Sequence, residues 1–337
     1  MPGGMLMTGS TLAAGIREDF ERTYFPEFDG VQEFLTDAMQ MDVPFNHRTE
    51  TFGLHETAPY PERFDEGNET IPMEGTGDKS FTVTVYDYGK RINWRKKDRE
   101  DNKVGSLTAV AEGLGKHFAS LDTRIFFEFV TGSASLLPAL ANAPDAAALY
   151  SATDGDSAAR FGRTGGNIYT GTGVATSAAV QTDFLGAIAG MGLFQDIKGQ
   201  PYWEANVLNE AYTIFFGLAN LEVFNQAFKA MTVHSVSTGT DTTDPGTGAG
   251  VSNVILATGV QVKIAPTSRI TDNDWFIFRG GAPVKPLFMG VRRGLTSAAA
   301  TEDNSDEART SGKEYIQWTT RKAFGVNVPF ATMKVNN

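Results

Sequence analysis

The segment from Leu54 to Arg99 constrains this chain more than any other, because its two halves carry opposite charge and opposite backbone tendencies. The first half holds Glu56, Glu62, Asp65, Glu66, Glu69, Glu74 and Asp78, with Arg63 as the lone Lys or Arg before Lys79. Pro59, Pro61, Pro72, Gly67, Gly75 and Gly77 interrupt any regular element there, so the expectation is a long acidic loop. From Phe81 to Tyr88 the residues then alternate, with Phe81, Val83 and Val85 on one side and Thr, Asp and Tyr elsewhere, which predicts a strand. That strand runs on toward Ile92 and Trp94 and ends in a basic run of Lys90, Arg91, Arg95, Lys96, Lys97 and Arg99. Structureless loops longer than about 12–15 residues are uncommon inside a compact domain, so a loop of this length asks for a purpose. Reaching a neighbouring subunit is one.

Three readings of the segregated charge stand side by side. The hairpin neutralises itself, the acidic loop of one subunit lies over the basic stem of the next, or the stem touches nucleic acid. The second makes Glu62, Asp65, Glu66, Glu69 and Glu74 the acidic side of an inter-subunit contact, and Arg91, Arg95, Lys96, Lys97 and Arg99 its basic side. Each exposed pair is worth only about 0–1 kcal/mol, so such a contact gains weight through repetition. Phe81, Val83, Val85 and Trp94 would form its framework.

The rest of the chain reads as a mixed α+β protein. Residues 1–50 suggest an irregular arm with short helical pieces, its Phe20, Tyr24, Phe25 and Phe28 set to lie along another surface. Val104, Leu107, Ala111, Leu114, Phe118, Leu121 and Ile125 follow a 3-4 spacing that predicts one long amphipathic helix over 104–130, despite Gly113 and Gly115. Residues 132–175 are small and polar, as in a loop or loose hairpin, and 177–193 predicts a second helix. A strand over 205–216 and a helix over 218–231 follow, then a Thr/Gly/Asp-rich loop over 235–252. Strands are expected at 254–264, 274–279 and 284–292, with Glu302–Glu307 as a hairpin loop. The closing stretch 313–335 reads as strand, Pro329 marking an edge.

No constellation asks for an enzyme. His47, His55, His117 and His234 lack metal-ligand spacing, and Asp154-Gly-Asp156 reads as a turn, since the later oxygens of a calcium loop are missing. The runs Gly171-Thr-Gly173 and Gly246–Gly250 do not complete a dinucleotide fingerprint. Cysteine is absent, which removes disulfides and thiolate sites and fits a reducing cytoplasm. The net charge of −11 gives no global attraction to DNA or to an anionic membrane, and no stretch is long and apolar enough for a span. Catalytic, metal and cofactor residues are therefore expected to be none.

The order of these elements resembles the tailed-bacteriophage major capsid proteins of the Hong Kong 97 type. Local text is most similar to the Mu-like major head subunits: Phe126-Phe127-Glu128-Phe129, then Leu149–Gly155, the turn Phe194–Pro201, the stretch Val207–Met231, and Arg321–Phe330 at the C-terminal end. That resemblance implies an N-terminal arm (1–50), an extended-loop hairpin (51–100) and a peripheral domain with spine helix 104–130 (101–175). It also implies an axial domain (176–280) and returning peripheral strands (281–337). The function implied is self-assembly, as hexamers and pentamers, into an icosahedral shell around double-stranded DNA bound without sequence specificity. Assembly in the host cytoplasm, a separate scaffolding protein, a portal and a decoration protein follow from the same likeness, as no internal scaffold segment is expected ahead of the arm. An encapsulin-type compartment shell and a tail tube or sheath protein are the alternatives.

Overall fold

The computed structural model describes residues 8–55, 78–100, 105–133, 135–136, 143–195, 199–202, 210–229, 232–234, 250–252, 255, 258–280 and 284–337. Helix α1 (Gly9–Leu35) leads into β1 (Met39–Pro44), β2 (Thr49–His55), β3 (Asp78–Thr84) and β4 (Tyr86–Arg95). Three helices follow, α2 (Lys96–Glu100), α3 (Gly105–Ala119) and α4 (Leu121–Thr131), then β5 (Ile168–Thr170) and α5 (Ser177–Gly192). Next come β6 (Ala211–Gly217), α6 (Leu221–Phe228), β7 (Thr232–His234), β8 (Gly250–Ser252), β9 (Gln261–Thr267) and β10 (Trp275–Arg279). The chain closes with β11 (Leu287–Ala300), α7 (Asp306–Ser311), β12 (Lys313–Val326) and β13 (Thr332–Asn336).

Two sheets carry the architecture. One has the order β1-β11-β12-β4, with β11, β12 and β4 antiparallel; the other has the order β5-β13-β10-β6-β9. The chain passes between them at its C-terminal end. Pro329, expected to mark an edge strand, instead opens a 3-10 turn (Pro329–Ala331) that separates β12 from β13. Its missing N–H is harmless there and would not be in a paired strand. β11 extends well beyond the expected 284–292 because its Ser-Ala-Ala-Ala tail pairs with Trp318–Tyr315, a tertiary gain that its composition does not announce. Likewise β9 starts later than the expected 254, where it can pair in parallel with β6.

Residues 9–35 correct the irregular-arm expectation, since they form one 27-residue helix with Pro26 inside it. Leu12, Ile16, Phe20 and Tyr24, four apart, are buried along it. They pack within this chain on Ile92, Trp94, Ala111, Phe118, Ile316 and Trp318, with Phe20 stacked on Trp318 at 4.5 Å. Phe20 and Tyr24 thus cover one face of the four-stranded sheet instead of seeking another surface, whereas Phe25 stays exposed and the side chain of Phe28 lies outside the described residues.

The expected single helix 104–130 is two helices that meet at Ser120 (φ −83°, ψ 2°). α3 packs on α1, and α4 places Ile125, Phe126, Phe127, Phe129 and Val130 in a core shared with both sheets. At the joint, Asp122 is fully buried and accepts from Lys322 Nζ of β12 at 2.6 and 2.7 Å. Burial pushes the Asp122 carboxyl up even against the attraction of Lys322. The second sheet holds a separate core, where α5 and α6 set Phe184, Ile188, Met191, Phe224 and Phe228 on Ile214, Phe216, Trp275 and Ile277.

Between α4 and α5, the expected loop is built around a fully buried arginine. Arg160 donates to both carboxylate oxygens of Asp145 at 2.6 and 2.9 Å, to the Ala148 and Leu149 carbonyls, and to Asn167 Oδ1. Asp154 caps its own turn by accepting from the Asp156 and Ala158 amides.

Two glycines that look alike in sequence differ in place. A Cβ on Gly115 would lie 2.8 Å from the Phe20 carbonyl of α1, whereas one on Gly113 meets nothing within 4 Å. Gly113→Ala should therefore raise stability by up to about 1 kcal/mol, and Gly115→Ala should lower it by forcing α1 and α3 apart; urea denaturation of both variants checks the opposite signs. Lys322→Met should cost about 3–5 kcal/mol by stranding Asp122, and the double replacement with Asp122→Leu should cost markedly less in the same assay.

Candidate assembly surface

β4 is built by alternation. Ile92 and Trp94 are buried toward α1 and α3, while Arg91, Asn93 and Arg95 are exposed on the other face. The pairing of β4 with β12 runs from Tyr86↔Lys322 to Arg95↔Lys313, and the opposite edge of β4 pairs with no described strand. Within Leu54–Arg99, then, residues 86–99 belong to the chain's own body, which corrects the expectation that this whole stretch leaves it. The reason is the apolar phase of β4: Ile92 and Trp94 gain more against α1 and β12 than an arm would leave them in water.

β2 and β3 form a separate two-stranded ladder from Thr49↔Thr84 to His55↔Asp78. Its base is anchored by Phe45, Phe81, Val83 and Val85 on Phe288 and Ala323, with Phe52 packed alongside. Phe81, Val83 and Val85 thus fix the hairpin root to the sheet, and Trp94 belongs to the helix-covered core. Glu62, Asp65, Glu66, Glu69 and Glu74 lie outside the described residues.

The basic run divides. Lys96 Nζ lies 2.7 Å from Glu302 Oε2, and Arg99 Nη2 donates to Glu302 Oε1 at 2.7 Å. Arg99 is itself buried, with its Nη1 3.6 Å from Glu314 Oε1. Glu314, wholly buried on the inward phase of β12, accepts from Trp94 Nε1 at 2.7 Å and from the Glu302 amide at 3.1 Å. The acidic turn expected as a plain hairpin loop is thus the intramolecular partner of two stem cations. It also meets the start of α1, where the Ser10 amide donates to Asp303 at 3.3 Å, a favourable place for negative charge.

Arg91, Arg95 and Lys97 remain exposed and make no ion pair among the described residues. Arg91 sits over the Tyr315 ring at 5.3 Å, and Arg95 is paired in register opposite Lys313. Farther along the same sheet, Arg321 forks onto both oxygens of Asp87. Glu302, Glu314, Asp87 and Arg321 escaped the sequence reading. For Glu314 a signal exists: it occupies the apolar phase of the alternating Glu314, Ile316, Trp318, where a carboxylate needs a buried partner. For Glu302 there is none, because only the folded sheet brings the β11–β12 turn to the end of β4.

Hydrogen bonds from Lys96 and then Arg99 hold the Glu302 carboxyl at about 2, against 4.5 ordinarily. A carboxylate depressed in the folded state contributes stability above its unfolded value and loses it as the pH falls through its folded value. Glu302→Gln should therefore lower the melting temperature at neutral pH. Its gap to the wild type should close between about pH 4.5 and 2, as melting curves across that range would show.

No protein-family model matches the sequence, and no curated protein does. Solved structures do match. The mature capsid of bacteriophage PhiM1 aligns with a TM-score of 0.52 at 12% identity, covering 90% of this chain and 86% of that one. The capsid of the myovirus XM1 gives 0.52 at 11% identity over 91% of each chain. The capsid of cyanophage P-SCSP1u gives 0.51 at 12% identity over 88% of this chain and 85% of that one. Helix α1, the extended hairpin β2–β3, the paired helices α3 and α4, and the two sheets thus compose an α+β chain with the phage capsid fold of the Hong Kong 97 type.

Proposed function

We propose that this chain is a major capsid protein, a non-enzymatic subunit that self-assembles into the icosahedral head of a tailed phage. The observation that carries this reading is the capsid fold over about nine-tenths of the chain, matched along 85–91% of the capsid chains named above. The hairpin β2–β3 supports it, since an isolated two-stranded ladder is marginal alone and, among the described residues, this one is rooted at its base. Among the described residues, no helix is long and apolar enough to cross a membrane.

In this reading the hairpin carries the acidic residues Glu62, Asp65, Glu66, Glu69 and Glu74 to a neighbouring copy, where Arg91, Arg95 and Lys97 are free to meet them. Lys96 and Arg99 act within their own copy instead, through Glu302. Hexamers and pentamers, a scaffolding protein, a portal, a decoration protein and loosely held double-stranded DNA complete the proposed assembly. Its place is the virion, after assembly in the host cytoplasm. The Mu-like head subunits remain the proposed subtype, on the stretches Phe126–Phe129, Leu149–Gly155, Phe194–Pro201, Val207–Met231 and Arg321–Phe330.

Negative-stain electron microscopy of the purified chain tests the reading. Closed, uniform shells are the expected result. Rods, or a stable monomer that resists every assembly condition, would reject it.

A further inference from the structure

β11 outruns its partner on one side. β1 pairs with it from Met39↔Leu287 to Pro44↔Val291, whereas β12 stays with it as far as Ala300↔Tyr315. From Arg292 onward, the outer edge of β11 therefore has no strand beside it among the described residues. Two register shifts distort that edge before Thr296 and none follows, so Thr296–Ala300 is a regular strand edge with no strand partner there. Native proteins guard such edges with lysine, proline, inward charges or bulges. Thr296-Ser-Ala-Ala-Ala300 has none of these, and Thr296, Ser297 and Ala298 are exposed. Its far end alone is partly closed, where Asn304 Nδ2 donates to the Ala299 carbonyl at 3.1 Å. Beside the edge, between β11 and α1, lies an open hollow of about 390 Å³ bordered by Tyr24, Phe25, Leu295 and Ser297, and Phe25 is 57% exposed.

The two ends of this edge carry opposite charge. At its start, Arg292 and Arg293 are exposed and make no ion pair among the described residues. Arg293 also faces Arg321 across the ladder, where like charges oppose each other. Just past its end, the turn and α7 expose Asp303, Asp306 and Glu307. Asp303 accepts from the Ser10 amide and Asp306 from Arg309, both at the surface. An edge with this polarity is complementary to its own copy run antiparallel, because each basic end then meets an acidic end. We propose that the β11 edges of two copies pair antiparallel about a two-fold axis, Ala298 against Ala298, and join two four-stranded sheets into one. In that register Arg293 of each copy is directed toward the Asp303 turn of the other. Such a join is isologous, the same patch serving both sides. Side chains no larger than Thr let the two backbones close to the ladder spacing of about 4.7–4.9 Å. A strand of another protein would have to match both charged ends, whereas the chain's own edge already does. The contact goes beyond the shell reading, since it forms whether or not shells do. A join this narrow falls short of the standard interface of about 1,600 Å², so in solution it is reversible.

The chain contains no cysteine, so a single introduced thiol reports the contact. Residues facing each other across an antiparallel ladder have Cα atoms about 4.5–5.5 Å apart, within the span a disulfide bridges. Under mild oxidation of the full chain, Ala298→Cys should give a disulfide-linked dimer as its main product. Thr310→Cys, exposed on α7 away from the edge, should give little. Adding Arg292→Glu and Arg293→Glu to Ala298→Cys should suppress the dimer. Mixing that variant with one carrying Ala298→Cys, Asp303→Lys and Asp306→Lys should restore it as the mixed species. Circular dichroism and melting establish that each variant is folded. A measurement on the unaltered chain covers any that is not: the amides of Thr296–Ala300 should gain protection from hydrogen exchange as the protein concentration rises. No more dimer from Ala298→Cys than from Thr310→Cys overturns the proposal, whether the edge is covered by another part of the chain or by another protein. So does amide protection that is independent of concentration. Dimers without closed shells would sustain this contact while rejecting the shell reading, and shells without the Ala298→Cys cross-link would do the reverse.

Discussion

The strict alternation of β12 is the constraint on which the rest of the structure depends. Its inward phase, Glu314, Ile316, Trp318, Thr320 and Lys322, is buried, while Lys313, Tyr315, Gln317, Thr319 and Arg321 stand on the opposite face. As a strand with neighbours on both sides, it holds β11 and β4 in register over nearly its whole length. Ile316 and Trp318 support the packing of α1 and α3, Phe324 and Val326 enter the core of α4, and Ala323 receives the hairpin root. A slip of one residue would turn Ile316, Trp318, Phe324 and Val326 to the opposite face, take Ala323 from the hairpin root, and place Glu314 and Lys322 in water.

Buried charge secures that register. Glu314 is tied to Trp94 and Arg99, and Lys322 to Asp122, so both ends of β12 carry an ionic partner from a distant part of the chain. Burying such groups is expensive, and well-packed apolar residues could hold the strand at least as firmly. What ionic pairs add is selectivity, because a wrong register leaves a charge stranded in the core. Arg160 does the same for the irregular stretch between α4 and α5, where no ladder sets the geometry.

The two faces of the sheet differ in completeness. Toward α1 and α3, apolar groups interlock and each buried charge has a partner close by. On the other face, cations oppose cations across the ladder. Within the chain, Asp87 relieves one of these cations, Arg321. Under the proposed function, the stem cations serve two ends: Lys96 and Arg99 close the subunit's own turn, and Arg91 and Arg95 are left for a neighbour.

Sequence by itself determined the mixed α+β class, the extended character of Phe81–Trp94 (though as one strand, where the structure has β3 and β4 in different sheets), the helix over 177–193 and the absence of cysteine. Each is a local property, set by residue type and spacing. It also separated the acid-rich and base-rich halves of Leu54–Arg99. Tertiary structure alone decided what those charges meet. Glu302 lies far from Lys96 and Arg99 in the chain and reaches them only because β12 lays the β11 turn beside the end of β4. It also turned residues 9–35 from an expected loose arm into a helix, since the four-residue spacing of Leu12, Ile16, Phe20 and Tyr24 has meaning only against the sheet that buries it. Local pattern sets what an element can be, and long-range burial sets where it lies and with whom its charges pair.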